Sequence, residues 1–144
     1  PGTYNFQWRM RQLGVEYFGP MTPNVVVEVR PGNNSEFVSQ TVSNTMAAGS
    51  TQNVTVRYRN TGAFTWGSKW VLSSMNPFGN SRWGMKQVSL PAGTTVAPGA
   101  EHSFTFTITA PTTPGTYAFQ WQMRHSGKTN FGPTSPNVNI NVTP

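Results

Sequence analysis

Residues 114–144, PGTYAFQWQMRHSGKTNFGPTSPNVNINVTP, decide the fold because they carry two signals at once. Tyr117, Phe119, Trp121 and Met123 alternate with Ala118, Gln120, Gln122 and Arg124, and Val138, Ile140 and Val142 alternate with Asn139 and Asn141. A period of two with one apolar and one polar side is the mark of strands packed on one face and wet on the other. The same stretch also aligns without a gap to residues 1–31, PGTYNFQWRMRQLGVEYFGPMTPNVVVEVRP, with 18 of 31 positions identical at an offset of 113. A period that long is a whole domain and not the rung of a solenoid. The sequence therefore predicts residues 1–31 as the C-terminal part of one repeat and residues 32–144 as a complete second repeat, with the boundary in residues 30–35, RPGNNS.

Working outward, Val54, Val56 and Tyr58 share one face, as do Phe104, Phe106 and Ile108, while Asn53, Thr55, Arg57, Thr105 and Thr107 point the other way. Further strands are expected at residues 36–42, 69–75 and 85–90, between turn clusters such as AAGS, NPFGN and TTPG. About seven short strands in a repeat of this length describe an all-β, immunoglobulin-like antiparallel β-sandwich, here in tandem. With no cysteine in the chain, its core rests on aromatic packing instead of a disulfide.

Composition narrows the function. Charged residues are only 10% of the 144, there is no aspartate, and the acids are Glu16, Glu28, Glu36 and Glu101. A coiled coil, a charged disordered tail and a membrane span are excluded. The net charge of +6 comes from basic residues scattered singly, which argues against specific nucleic-acid binding. Glu101 and His102 are adjacent on a strand and so face opposite sides of a sheet, and His125 closes a strand at a hairpin tip. No nucleophile has both a base and an orienting acid, and ligands for a metal are lacking, so the expectation is a protein without catalytic activity, cofactor or metal.

A family resemblance rests on Asn60-Thr61-Gly62, Trp66, Trp83-Gly84, the turn Ala97-Pro98-Gly99, and Gly115-Thr116-Tyr117 with Trp121 and Phe131-Gly132-Pro133. These residues resemble the four-tryptophan (FW) domain, the Ig-like central domain of the "next to breast cancer one" autophagy receptor, also found in secreted multi-module bacterial proteins. The resemblance covers residues 36–142, and residues 1–29 resemble its C-terminal part. It implies a non-catalytic module for partner recognition. The chain departs from the receptor-type pattern at Val56, where a tryptophan is usual, and Trp70 lies outside the pattern.

Candidate sites follow. Trp66, Trp70, Phe78 and Trp83 lie in or beside the loops GAFTWGSKW and NPFGNSRWG, and form a candidate ligand or interface cluster, whose bland reading is a lid at the edge of the core or a surface buried against the neighbouring repeat. Asn33, Asn53 and Asn141 begin N-x-S/T sequons and are candidate glycosylation sites. Tyr4, Phe6, Trp8 and Met10 share an apolar face with Val25, Val27 and Val29, and residues 1–29 contain no opposing sheet to cover it. Leaving that face wet forfeits about 10–20 kcal/mol. The sequence favours a piece of a longer head-to-tail array over strand exchange between separate subunits, with Trp8 buried against residues outside this stretch or in another copy. The expected function is an extracellular or cell-surface array of Ig-like repeats, a stalk, adhesin shaft or filament, whose partners are adjacent repeats or copies of itself and in some cases glycans. The alternative is a carbohydrate- or peptide-binding module acting through the loop tryptophans.

Overall fold

The computed structural model describes all of residues 1–144 and contains strands and turns without a helix. Internal contacts divide the chain into two compact units, Pro1–Pro31 and Gly32–Pro144. In the first, β1 (Gly2–Phe6), β2 (Met10–Arg11), β3 (Tyr17–Phe18) and β4 (Val25–Val29) make two antiparallel pairs, β1 with β4 and β2 with β3. The second holds β5 (Ser35–Thr41), β6 (Thr45–Ala47), β7 (Thr51–Asn60), β8 (Trp70–Ser74), β9 (Gln87–Ser89), β10 (Glu101–Thr109), β11 (Gly115–Phe119), β12 (Trp121–His125), β13 (Asn130–Thr134) and β14 (Val138–Thr143).

The second unit is an Ig-like β-sandwich. One sheet has the order β10-β7-β5; the other layer consists of β13-β12-β8-β9 and β11-β14-β6, which meet where the chain passes from Phe119 through Gln120 to Trp121. The alternation read from sequence fixes which side chains fill the gap: Val54, Val56, Tyr58, Phe104, Ile108, Phe119, Trp121, Met123, Ile140 and Val142 are buried. Phe106 and Tyr117, expected inside with them, are only partly buried and pack against the core's edge.

Two features were not legible. The first strand breaks in two: β5 pairs antiparallel with β7, the chain turns at Ser43, whose hydroxyl donates to the Thr45 carbonyl at 3.0 Å, and β6 then joins the other sheet, parallel to β14. Strand β13 forms across Gly132 and Pro133, residues that speak against a strand. Its Gly132 has φ 66°, and a Cβ there would meet the Ser35 side-chain oxygen at 2.0 Å and its carbonyl at 2.7 Å, so only glycine lets β13 pass this close to β5.

The two units repeat one local structure. Pairing of β1 with β4 joins Gly2 to Val29, Tyr4 to Val27 and Phe6 to Val25; pairing of β11 with β14 joins Gly115 to Val142, Tyr117 to Ile140 and Phe119 to Val138. Hydrogen bonds repeat too. The Trp8 amide donates to the Thr22 hydroxyl at 2.9 Å, as the Trp121 amide does to the Ser135 hydroxyl at 3.0 Å. Gln7 donates to the Thr22 carbonyl at 3.0 Å, and Gln120 to that of Ser135 at 3.1 Å. Where Gln122 donates to the Gly132 carbonyl, Arg9 donates to that of Gly19, so even a changed residue keeps the bond.

Candidate functional site

The loop cluster begins with Asn60 at the end of β7. Its side chain is wholly buried and fully used: the amide donates to the Phe64 carbonyl at 2.8 Å and the Val96 carbonyl at 2.9 Å, and its oxygen accepts from the Gly62 amide at 3.1 Å. Three bonds from one side chain bend the loop back over the sandwich. Trp66 and Val96 then exchange backbone bonds at 2.9 and 3.0 Å, which draws the Trp66 ring inward onto Phe131. Gly62 completes the turn, since a Cβ there would meet Gly32 and Asn34 backbone atoms at 2.6 Å.

This geometry corrects the exposed tryptophan platform. Trp66 is 0% and Trp83 2% exposed, so neither offers a ring face to a ligand. Trp83 is held from both sides, its indole N–H donating to the Ala118 carbonyl at 2.9 Å and its ring set edge-on to Tyr117 and Phe119. The bland reading of these two residues, a lid on the core, is the one their burial fits. Trp70 is partly buried: its indole N–H donates to Asn33 Oδ1 at 2.9 Å and its ring stacks on His125 at 4.5 Å. Phe78 alone of the four is exposed, with the Arg124 guanidinium 4.9 Å above its ring. The cluster thus divides into two core residues and two surface residues.

Tyr58, near the same end of β7, is wholly buried between the sheets, its hydroxyl 3.1 Å from both the Trp121 and the Pro133 carbonyls. Burial pushes this phenol well above the ordinary tyrosine value, so it stays protonated and donating. On the outer face Glu101 bridges strands, accepting from Arg59 Nε at 3.0 Å and lying 2.6 Å from Arg57 Nη2, while Arg59 also reaches Glu36 at 3.1 Å. His102, its neighbour on β10, turns inward toward Phe104, and desolvation lowers its pKa. Glu101 and His102 therefore stand on opposite sides of β10. His125 is lowered as well, first by desolvation and then by Lys128 and Lys69. No group of three or more His, Cys, Asp or Glu side chains comes together.

A family model described as the Ig-like domain from next to BRCA1 gene matches residues 39–142. The chain belongs to that family. A comparison with curated proteins gives no match. An Ig-like domain of this family is a structural or interaction module, and the family is generally non-enzymatic. Surfaces and ends of the Ig-like unit, more than an enclosed pocket, are therefore where function has to be sought.

Those surfaces hold the remaining candidates. Asn53 and Asn141 are exposed on outer sheet faces, Asn53 accepting from the Thr107 hydroxyl at 2.7 Å; Asn33 is partly buried and its oxygen is engaged by Trp70. Tyr4, Phe6, Trp8 and Met10 are 53–66% exposed. A groove of about 210 Å³ runs between the edge strands β9 and β10, lined in part by Val88, Pro91, His102 and Phe104. Sequence reasoning passed over Asn60, whose Asn-Thr-Gly setting was visible but whose bonding depends on Val96, far along the chain.

Proposed function

We propose that this chain is a structural repeat of an extracellular Ig-like array, a stalk, adhesin shaft or filament in which repeats follow one another head to tail. The observation that carries the reading is where the chain joins the second unit and where it leaves. Ser35 lies opposite Asn60, at one end of β7. The Thr143 carbonyl accepts from the Ala48 amide at 2.8 Å, beside the other end of β7, which begins at Thr51. Ends at opposite poles let successive units extend a line, where ends at one pole would fold it back.

Residues 1–31 on this reading are the C-terminal part of a repeat, and the matched register of β1–β4 and β11–β14 supports it. The apolar face of Tyr4, Phe6, Trp8 and Met10 is then the half of a core whose other half belongs to a unit like residues 32–113. Exposed Asn53 and Asn141 suit glycosylation outside the cell, and Asn33 is the poorest of the three sequons because its side chain already holds Trp70. The finer resemblance to the four-tryptophan domain of secreted bacterial proteins agrees with this setting. Ligand binding through the loop cluster would fall to Trp70 and Phe78, since Trp66 and Trp83 are enclosed.

The test is electron microscopy of a protein carrying several such repeats. Strings of beads with an axial spacing on the order of 30–45 Å, set by strands of about ten residues, are expected. Compact particles without an axis would overturn the reading.

A further inference from the structure

We propose that a second copy of this chain pairs side by side with the first along the free edge of β10, joining their sheets into one. Strand β10 ends the sheet order β10-β7-β5, and its bonding shows which backbone groups are spent. In an antiparallel pair, residues that exchange both bonds with the partner strand alternate with residues whose amide and carbonyl point the other way. The Asn60 amide donates to the Ala100 carbonyl and the Ala110 amide to the Ser50 carbonyl, so the even-numbered residues turn toward β7. The Thr109 amide donates away from β7, to the Trp83 carbonyl at 3.2 Å, so the odd-numbered residues face the edge. The Trp83 loop covers that edge at Thr109 and leaves it open from Glu101 to Thr107.

The other edges of the unit are blunted. Strand β5 carries a bulge between Phe37 and Ser39, β6 and β9 have three residues each, β13 contains Pro133, and the Ala118 carbonyl on β11 is taken by the Trp83 indole. Strand β10 has nine residues in unbroken register with β7, no proline and no lysine. Its one acid, Glu101, stands at the start and is held by Arg57 and Arg59. A long, regular edge of this kind is a template for another strand.

The strand that fits is the same edge of a second copy. Turned about a two-fold axis at Phe104, the open stretch matches itself. Ser103 comes opposite Thr105 of the second copy, Thr105 opposite its Ser103, and Glu101 opposite its Thr107, all with bonding groups turned to the joint. No like charges meet. On the side facing the other layer, His102 comes against Phe106, which the chain alone buries only in part. The groove lined by Val88, Pro91, His102 and Phe104 opens at this same edge, and pairing shields it from water in both copies.

One strand pair is a small interface, and a single contact is weak. Two arrays lying side by side in opposite directions would make many such contacts at once. That consequence rests on the array reading; the pairing itself does not.

The test uses the full 144-residue protein at rising concentration. Sedimentation should approach twice the 15.8 kDa of one chain at about 1 mM. Residue-resolved hydrogen exchange should show the amides of Ser103, Thr105 and Thr107 slowing at least about tenfold from dilute to concentrated samples. Exchange at these amides separates this contact from association through the apolar face of residues 1–29. The double variant Ser103→Lys, Thr105→Lys sets lysine against lysine across the joint and should lose the protection, as should Ser103→Glu, Thr105→Glu; mixing the two should restore it. Free exchange of the three amides at every concentration would leave the edge to some other strand and overturn the proposal. Protection that persists in the lysine variant, or that mixing fails to restore, would overturn it too. If a variant does not fold, the concentration dependence of the unaltered chain still decides. Failure of the array reading shows elsewhere, as compact particles in the microscope, whatever happens at β10.

Discussion

The hydroxyl of Tyr58, on the central strand of one sheet, donates across the sandwich to the backbone carbonyl of Trp121 on the other, at 3.1 Å. One side chain thereby ties the C-terminal part of β7 to the corner at which β11 becomes β12. Tyr58→Phe keeps the ring and removes the tie. The variant should fold and lose about 1–2 kcal/mol, the cost of one buried hydrogen bond, since the Trp121 carbonyl keeps the Ser135 amide as a donor at 2.7 Å. Chemical denaturation followed by tryptophan fluorescence measures it, and an unchanged midpoint would count against the role given to the hydroxyl.

Trp8 and Trp121 align in the two matching stretches of sequence, one 64% exposed and the other 0%. Trp121→Ala should cost about 3–5 kcal/mol, as for other large buried aromatics. Trp8→Ala should change the melting of residues 32–144 by no more than about 0.5 kcal/mol. Calorimetry of the two variants side by side gives the contrast.

Asn60→Ala strips three bonds from the loop that carries Trp66 inward. A loss of about 2–4 kcal/mol is expected from buried groups left unsatisfied. Quenching of tryptophan fluorescence by acrylamide should rise as Trp66 becomes accessible. Stability without a change in quenching would remove Asn60 from its place as the loop's organiser.

His102 and His125 both have lowered pKa values in the folded chain, so the unfolded chain binds protons first as the solution is acidified. Stability contributed by their neutral forms is complete above the ordinary imidazole value near ~6.5 and is lost as the pH falls through it. Melting temperature should therefore drop between about pH 7.5 and 5.5, above the range where carboxylates titrate. Replacing both histidines by glutamine should flatten that slope.

How much of this was legible in the sequence differs by region. Trp121 could be placed because Tyr117, Phe119 and Met123 share its period, and a strand's pleat turns period into burial. Trp66 and Trp83 lie in loops, where no period exists, and their burial follows from bonds to Val96 and Ala118, distant in sequence. The strand expected at residues 85–90 shrinks to Gln87–Ser89, and β6 has three residues, too few to show any alternation. Parallel pairing of β6 with β14 leaves no mark on either segment alone, since it arises from the chain's crossing between sheets after Thr41.

The opposite poles of the second unit at which Ser35 and Thr143 lie also protect it from its own upstream twin. Residues 1–29 match residues 114–142 in register and in most core side chains, so they are a rival for the same seat while the chain is folding. To take that seat, Val29 would have to lie where Val142 lies, beside Met46 near the Thr51 pole, while Ser35 stays opposite Asn60. The nine steps of β7 between those poles span about 30 Å. Six steps of fully stretched chain from Val29 to Ser35 reach only about 20 Å. The leash is too short, and a chain that folds alone cannot seat the wrong hairpin.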